Sequence, residues 1–557
     1  MVTDLRRVLR VPQLTDFVVT VLPLFCLLFW LFSIYDARLR INEGIGDMGL
    51  ISVLSPAFLF SLTVLTACFC AAVRMRRTGP MALFFQVIVL IVFLHLTPAA
   101  VEGTARFNSY TYYQAVDYIG QMGHIDPATQ WIHNWPASTI AMNMFIQTTG
   151  LSGSEQLLLA SYPALFNIAL FFPLFVFLRL TIQGERPRWI AIWVFYIANW
   201  VGQDYFNAQS LGFLTFVLML VVIFKMVDSP RAERQWLLLS TVLILSLVTT
   251  HLLTSLVLLA FLLILFAFKH VRRPAVLLIS AMILASWTVF VAYHRLEWDF
   301  AQTLEKMLRF ELIFGANVVG RMTGSLAHVL VTELRVGFSA LIGLFALSGF
   351  LLLLRGRVFG RTDKRVLMIL LAACSLIPFS AYGGELFMRV FLLSLIPLAY
   401  FVSRATNSRR FFCVLAILLI TVAPAVHLVA HYGNEVMDYL PAGESKAVDS
   451  FHKMTTRGYV VGGYDYVGPY RDLRYRQFYV YLPFSEWRGE TVSVASTESG
   501  RVDWPIFVVI SYGTTEFYDY RLGEPEFIIT TRERLTSSAH YNRIYMNPDF
   551  DLYLQQD

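Results

Sequence analysis

The side chains able to do chemistry gather first between Val101 and Trp135, VEGTARFNSYTYYQAVDYIGQMGHIDPATQWIHNW. Glu102, Arg106, Asp117, His124, Asp126 and His133 stand there among Tyr and Trp. A carboxylate can take a proton from an acceptor hydroxyl, a guanidinium can hold a phosphate, and a histidine titrates near neutral pH. Glu102 lies nearest the apolar run that precedes it, where a membrane-borne substrate would meet its acceptor. It is the first candidate for a catalytic base, with Asp117 second. Arg106, His124 and Asp126 are candidate binding residues, and Asp117 and Asp126 are also candidate metal ligands. Singly, each of these is more often a solvated loop charge, so the case rests on convergence with polar residues elsewhere.

Three further groups supply that company. Asp204 sits in NWVGQDYFNAQSLGF, a tight turn between apolar runs, where a carboxylate could hold a metal or a sugar hydroxyl. The plainer reading is a helix N-cap. His251, in TTHLLTS, could donate to a phosphate, the plainer reading being a hydrogen-bonded interfacial histidine. Glu385 and Arg389, in SAYGGELFMRV, are i, i+4. They read equally as a helix ion pair and as a guanidinium placed for a lipid phosphate. Trp131, Trp135 and Trp200 read first as an interfacial aromatic belt and second as sugar-stacking platforms.

The elements that must position these residues are apolar. Hydrophobic residues make up 57% of the chain and charged residues 15%, and mean hydropathy is +0.60. A soluble domain carries about a quarter charged residues. Spans are predicted near 15–35, 49–73, 80–100, 156–181, 188–201, 208–227, 236–250, 252–268, 275–293, 338–354, 366–382, 386–403 and 411–430. The first is too long for a signal-peptide core and reads as a retained helix. The fold class is therefore an all-α polytopic membrane protein of about 13 transmembrane helices.

The net charge of +6 does not imply a nucleic-acid partner, because the basic residues fall in alternate short loops. Arg74, Arg76 and Arg77, then Lys269, Arg272 and Arg273, then Arg404, Arg409 and Arg410 all agree with one register. That register places the protein in the cell membrane as a multi-pass chain with a cytoplasmic N-terminus and an outer C-terminus. Outer loops are then expected at 101–155 and 294–339. The tail ASTIAMNMFIQTTGL reads as a helix in the interface. In the second loop, Leu304, Met307, Leu308, Leu312 and Ile313 have helical spacing and predict surface helices. The five cysteines lie inside apolar runs, so disulfides are not expected.

From His431 the chain turns rich in Tyr, Gly and charge. YVVGGYDYV, RQFYVYL, TVSVAS, WPIFVVISY, EFIIT and NRIYMN read as strands. This divides the chain into a membrane domain, 1–430, and a small extracytoplasmic α/β or β-rich domain, 431–557. No GxxxxGK[ST], GxSxG or HExxH is present, so ATP hydrolysis, a serine-hydrolase elbow and a zincin site have no support.

In sequence order, RFNSYTYYQAVDYIGQMGHI, NWPASTIAMNMFIQTTGL, GQDYFNAQSLGF, THLLTS, YGGELFMRV and NRIYMN resemble stretches of prokaryotic GT-C glycosyltransferases. The resemblance covers most of the membrane part. It implies inverting transfer of a sugar from a polyprenyl-phosphate-linked donor to a glycan, lipid or protein acceptor. A carboxylate of the first outer loop would be the base: Glu102, or else Asp117. Arg389 would hold the lipid phosphate, and a divalent cation, Mg or Mn, could assist. Membrane lipids are the remaining partner. Where the pattern has an acidic residue, this chain has Asn108. Two other classes stay open: a lipid or saccharide transporter or flippase, and a non-catalytic cell-envelope assembly protein.

Overall fold

The computed structural model describes residues 17–41, 44–75, 78–128, 131–228, 233–271, 274–293, 322–379, 385–455, 457–462, 479–483 and 504–556, with Gly315 and Gly320. Helices occupy every predicted span. In order they are α1 (Leu22–Arg40), α2 (Pro56–Arg74), α3 (Pro80–His95), the short α4 (Thr97–Glu102), α5 (Phe107–Met122) and α6 (Ala137–Thr149). There follow α7 (Glu155–Thr181), α8 (Glu185–Ala198), α9 (Ala208–Asp228), α10 (Glu233–Thr250), α11 (Leu252–Ala267) and α12 (Ala275–Phe290). The membrane part closes with α13 (Leu326–Arg355), α14 (Arg361–Cys374), α15 (Leu386–Arg404), α16 (Arg409–Thr421) and α17 (Ala423–Tyr432). Among the described residues, six helices are long and apolar enough to cross a membrane: the one from Val19 to Arg40, then α2, α7, α9, α13 and the one from Leu386 to Asn407. Their outward faces carry exposed Phe25, Phe29, Phe32, Leu344, Leu347 and Leu351, as lipid contact requires.

Helix α8 is the pillar of the bundle. It is apolar all round, and from Trp189 to Ala198 every residue is buried. Helices α2, α3, α7, α13, α15 and α17 surround it. Phe69 stacks on Trp193 with ring centroids 4.0 Å apart. At 14 residues and 1.5 Å per residue, α8 is about 21 Å long, short of the ~30 Å hydrocarbon core.

Prolines account for two breaks that the predicted spans do not show. The span expected over 80–100 ends at His95 because Pro98 has no N–H to give the Leu94 carbonyl. The Tyr432 hydroxyl donates to that carbonyl instead, at 2.7 Å. The span expected over 411–430 is two helices bent by 48°, α16 and the segment that starts with α17. Pro424 likewise removes the bond to Ile420.

Two other expectations change. The outer loop expected to run to Ser339 gives way at Leu326 to α13, whose first turn is capped by Ser325 accepting from the His328 N–H at 3.2 Å. The surface helices expected around Leu304–Ile313 lie outside the described residues, as does the expected strand TVSVAS. The stretch ASTIAMNMFIQTTGL forms α6, with exposed Ile140, Met144 and Phe145 along it.

The C-terminal unit is α/β. Helix α18 (Ala442–Met454) leads into β1 (Gly458–Gly462), β2 (Tyr479–Pro483), β3 (Ile506–Ser511), the short α19 (Tyr512–Glu516), α20 (Pro525–Ser537), β4 (Tyr541–Asn547) and β5 (Phe550–Gln555). The sheet order is β2-β1-β3-β5-β4, with β1 parallel to β2 and β3, and β5 antiparallel to β3 and β4. Successive residues of β3 point to opposite faces. Val508 and Ile510 pack on Ile528 and Leu535 of α20, while Phe507 and Val509 pack on Val448 and Phe451 of α18. EFIIT, read as a strand, is instead the first part of α20. Pro525 fits the first helical turn, and the following TTRERL carries the helix on.

Glu516 ends α19. Burial, then the carboxylates of Asp519 and Asp47, push its pKa up to about 7. A carboxyl whose folded pKa is raised favours the fold when protonated, so its effect on stability worsens as pH climbs from the unfolded value through about 7. Glu516→Gln is expected to leave the melting temperature little changed at pH 5 and to raise it at pH 8. Thermal unfolding of the two proteins across that range checks this.

Candidate functional site

The C-terminal end of α8 runs into an irregular stretch, Asn199–Asn207, most of which is buried. Buried non-helical backbone persists only where protein groups satisfy it. Here they do. His427 on α17 bonds the Ile197 carbonyl through Nδ1 at 2.8 Å, and His431, one turn on, bonds the Trp200 carbonyl through Nδ1 at 3.2 Å. Arg106 donates from Nη1 to the Gly202 carbonyl at 3.0 Å and from Nη2 to the buried Glu435 carboxylate. Gly202 admits this approach, since a Cβ there would overlap the Arg106 guanidinium.

Asp204, 4% exposed, lies at the centre. Its Oδ2 accepts from Asn167 Nδ2 of α7 at 2.9 Å and sits 2.6 Å from Nδ1 of His95, the last residue of α3. Burial pushes its carboxyl up, but His95, His431 and Arg106 together hold it well below the usual carboxylate range. Burial acts against the Arg106 charge, and Glu435, Asp438 and Asp204 outweigh it, so the guanidinium is more basic than usual. The N-cap role considered for Asp204 belongs to Asn207, whose Oδ1 accepts from the Ser210 N–H at 2.7 Å.

These groups line one cleft of ≈ 390 Å³, counting the part open to solvent. His95, Asp204 and His431 form its polar side, with Glu102 and Arg106, while Leu159, Ala160 and Pro163 of α7 give an apolar wall. Glu102 is the last residue of α4, held there by the break at Pro98 and by Gly103 in the left-handed conformation, φ 71°. The cleft thus brings together three residues singled out in the sequence: Glu102, Arg106 and Asp204.

The other candidates lie elsewhere. Asp117 accepts from Gln121 Nε2 at 2.5 Å, one turn along α5. His124 is exposed, its Nδ1 3.0 Å from the Met122 carbonyl. Asp126 gives its backbone N–H to His133 Nδ1 at 2.9 Å and takes the Ala128 N–H on Oδ1 at 3.2 Å, a local turn. His251 caps α11, accepting from the Thr254 N–H. Arg389 pairs with Glu385 at 3.2 Å, the i, i+4 ion pair, in the first turn of α15. Trp131 is exposed, as a belt residue would be. Trp200 is buried: Arg335 lies over its ring at 5.3 Å, and its Nε1 donates to Ser339 at 3.0 Å.

His95, His427, His431, Asn167 and Glu435 escape the reading of polar loops. An ionisable residue inside an apolar run, as in VIVLIVFLHLTP, is the signal that finds His95. For the α17 pair it is the i, i+4 spacing in HLVAH.

Among the described residues, the one convergent group of three candidate metal donors is His95, Asp204 and His431, two imidazoles to one carboxylate.

No protein-family model matches this sequence. No curated protein matches it. Among solved structures, the chain is similar to ArnT from Cupriavidus metallidurans bound to undecaprenyl phosphate, at 12% identity and a TM-score of 0.48, covering 86% of this chain and 98% of that one.

Gly202→Ala forces the Arg106 guanidinium off the Gly202 carbonyl and strains its pairing with Glu435. Overpacking of this kind typically costs about 1–3 kcal/mol. The melting temperature is expected to fall, while Gly343→Ala, inside α13 with open space and an ordinary φ, does not lower it. Differential scanning fluorimetry in detergent measures both.

Proposed function

We propose that the chain transfers a sugar from a polyprenyl-phosphate-linked donor to an acceptor at the outer face of the membrane, with the Glu102 cleft as the reaction centre. The observation that carries this reading is the meeting of Glu102, Arg106 and Asp204 in one cleft whose apolar wall is a membrane-length helix. A lipid carrier reaches such a wall from the bilayer, and its polar head meets the charged side. The ordered motifs that resemble GT-C glycosyltransferases agree with this placement.

Inverting transfer needs a base on the acceptor hydroxyl and a positive field at the leaving phosphate. In this reading Glu102 takes the acceptor proton as the hydroxyl oxygen attacks the anomeric carbon and the lipid phosphate departs with the bonding electrons. Arg106 already engages Glu435 and the Gly202 carbonyl, so it contributes a fixed charge rather than a free two-pronged grip. The resemblance gives the carrier phosphate to Arg389, which pairs with Glu385 and does not line the cleft. That role requires it to exchange Glu385 for phosphate.

One observation favours the transporter alternative. His95, Asp204 and His431 form a buried ionisable cluster within the helical bundle, a feature of ion-coupled carriers. Translocation of a lipid-linked sugar into liposomes by the purified protein, without transfer, would establish that reading in place of the enzyme.

Loss of a general base lowers rate by roughly 10²–10⁴-fold. Glu102→Gln is expected to reduce transfer from a radiolabelled polyprenyl-phosphate sugar by that order, and Asp117→Asn to leave it within a few-fold. Full activity in both Glu102→Gln and Asp204→Asn would refute the assignment of the cleft.

A further inference from the structure

The His95, Asp204 and His431 cluster has the marks of a built metal site. One ligand atom from each residue falls within 4.8 Å of the others, and all three residues are buried. They come from three separate elements: the end of α3, the irregular stretch after α8, and α17. Local turn geometry therefore does not account for their meeting.

Two of the three donors are oriented by a partner behind them. With His431 Nδ1 donating to the Trp200 carbonyl, the neutral ring turns its Nε2 lone pair away from that contact. Imidazole ligands are commonly fixed in this way by a backbone carbonyl. Asn167 holds Asp204. His427, stacked on His431 with centroids 5.3 Å apart, repeats the arrangement on the Ile197 carbonyl. His95 is 1% accessible; its Nδ1 lies 2.6 Å from Asp204 Oδ2, while its Nε2 is buried with no hydrogen-bond partner. A buried imidazole nitrogen of that kind needs something to coordinate or to bond.

Arg106 pairs with Glu435, and Asp204 lies against His95, so the carboxylate of the cluster is next to an imidazole rather than a guanidinium. Two nitrogens and one carboxylate suit zinc better than magnesium, and three protein ligands with an open fourth position is the arrangement of a catalytic rather than a structural zinc. The same three residues line the cleft, so the open position faces its interior.

We propose that His95, Asp204 and His431 bind one Zn²⁺, with its fourth position open to the cleft that Glu102 lines. Bonds of about 2.0–2.2 Å at tetrahedral angles set neighbouring donors a little over 3 Å apart. Loading therefore draws the His95 ring back slightly from Asp204. The proposal goes beyond the transfer reaction and stands or falls separately from it.

The test is metal analysis of the full chain purified in detergent, stripped with a chelator and reloaded with Zn²⁺ or Co²⁺. About one zinc per chain is expected, with the intense visible absorption of four-coordinate Co²⁺. His95→Gln and His431→Gln should each weaken zinc binding by more than the ~10–100-fold typical of an outer-shell change. Asn167→Ala should fall within that range, and His124→Ala should have no effect. Size-exclusion profiles identify variants that fail to fold, and Asp204→Asn provides a near-isosteric replacement for either. A monodisperse wild-type protein that binds no zinc and gives only the weak spectrum of octahedral Co²⁺ overturns the proposal. So does undiminished zinc in the folded ligand variants. Loss of zinc with sugar transfer intact would leave the transfer reading standing and make the metal a bystander. Zinc bound with no transfer would do the reverse.

Discussion

Everything at this end of the bundle follows from one constraint: the carbonyls around the end of α8 must find donors away from water. The chain that follows cannot hydrogen-bond itself as a helix or a sheet would. Two imidazoles and a guanidinium close the gap, at Ile197, Trp200 and Gly202. Two of these, His431 and Arg106, also line the cleft, so part of its polar side doubles as backbone support.

A second broken helix serves the first. Pro98 frees the Leu94 carbonyl, and Tyr432 satisfies it from α17, next to His431. The break also turns α4 aside, which brings Glu102 to the cleft instead of continuing the line of α3. A straight span over 80–100 would place His95 and Glu102 about two turns apart along one axis. With the break, both line one small space.

The sequence makes the membrane part legible because lipid demands long apolar runs, and each predicted span is occupied by a helix. Glu102, Arg106 and Asp204 are legible as polar residues at outer ends. The rest is hidden for physical reasons. His95 and His431 lie within or beside apolar helices, and a loop-centred reading passes over them. The composition changes at His431, but helix α17 continues through that point to Tyr432, so a boundary drawn by composition separates a ligand candidate from its partners. EFIIT has the residue types of a strand, and only its neighbours, Pro525 and TTRERL, decide for a helix. Asp117, His124 and Asp126 have suitable chemistry, but the turn of α5 leaves them bonded to one another's surroundings and outside the cleft.

The Tyr520 hydroxyl donates to the Gly433 carbonyl at 2.9 Å and to Asn434 Oδ1 at 3.0 Å. Those two residues separate Tyr432 from Glu435, the partner of Arg106. The C-terminal α/β unit is thus a brace on the segment that carries the partner of Arg106 rather than an appendage. Deleting it is for that reason an ambiguous experiment: an enzyme and a scaffold would both fail, the first through collapse of its cleft and the second through loss of its contact surface. Point changes that leave the brace in place are what separate the two.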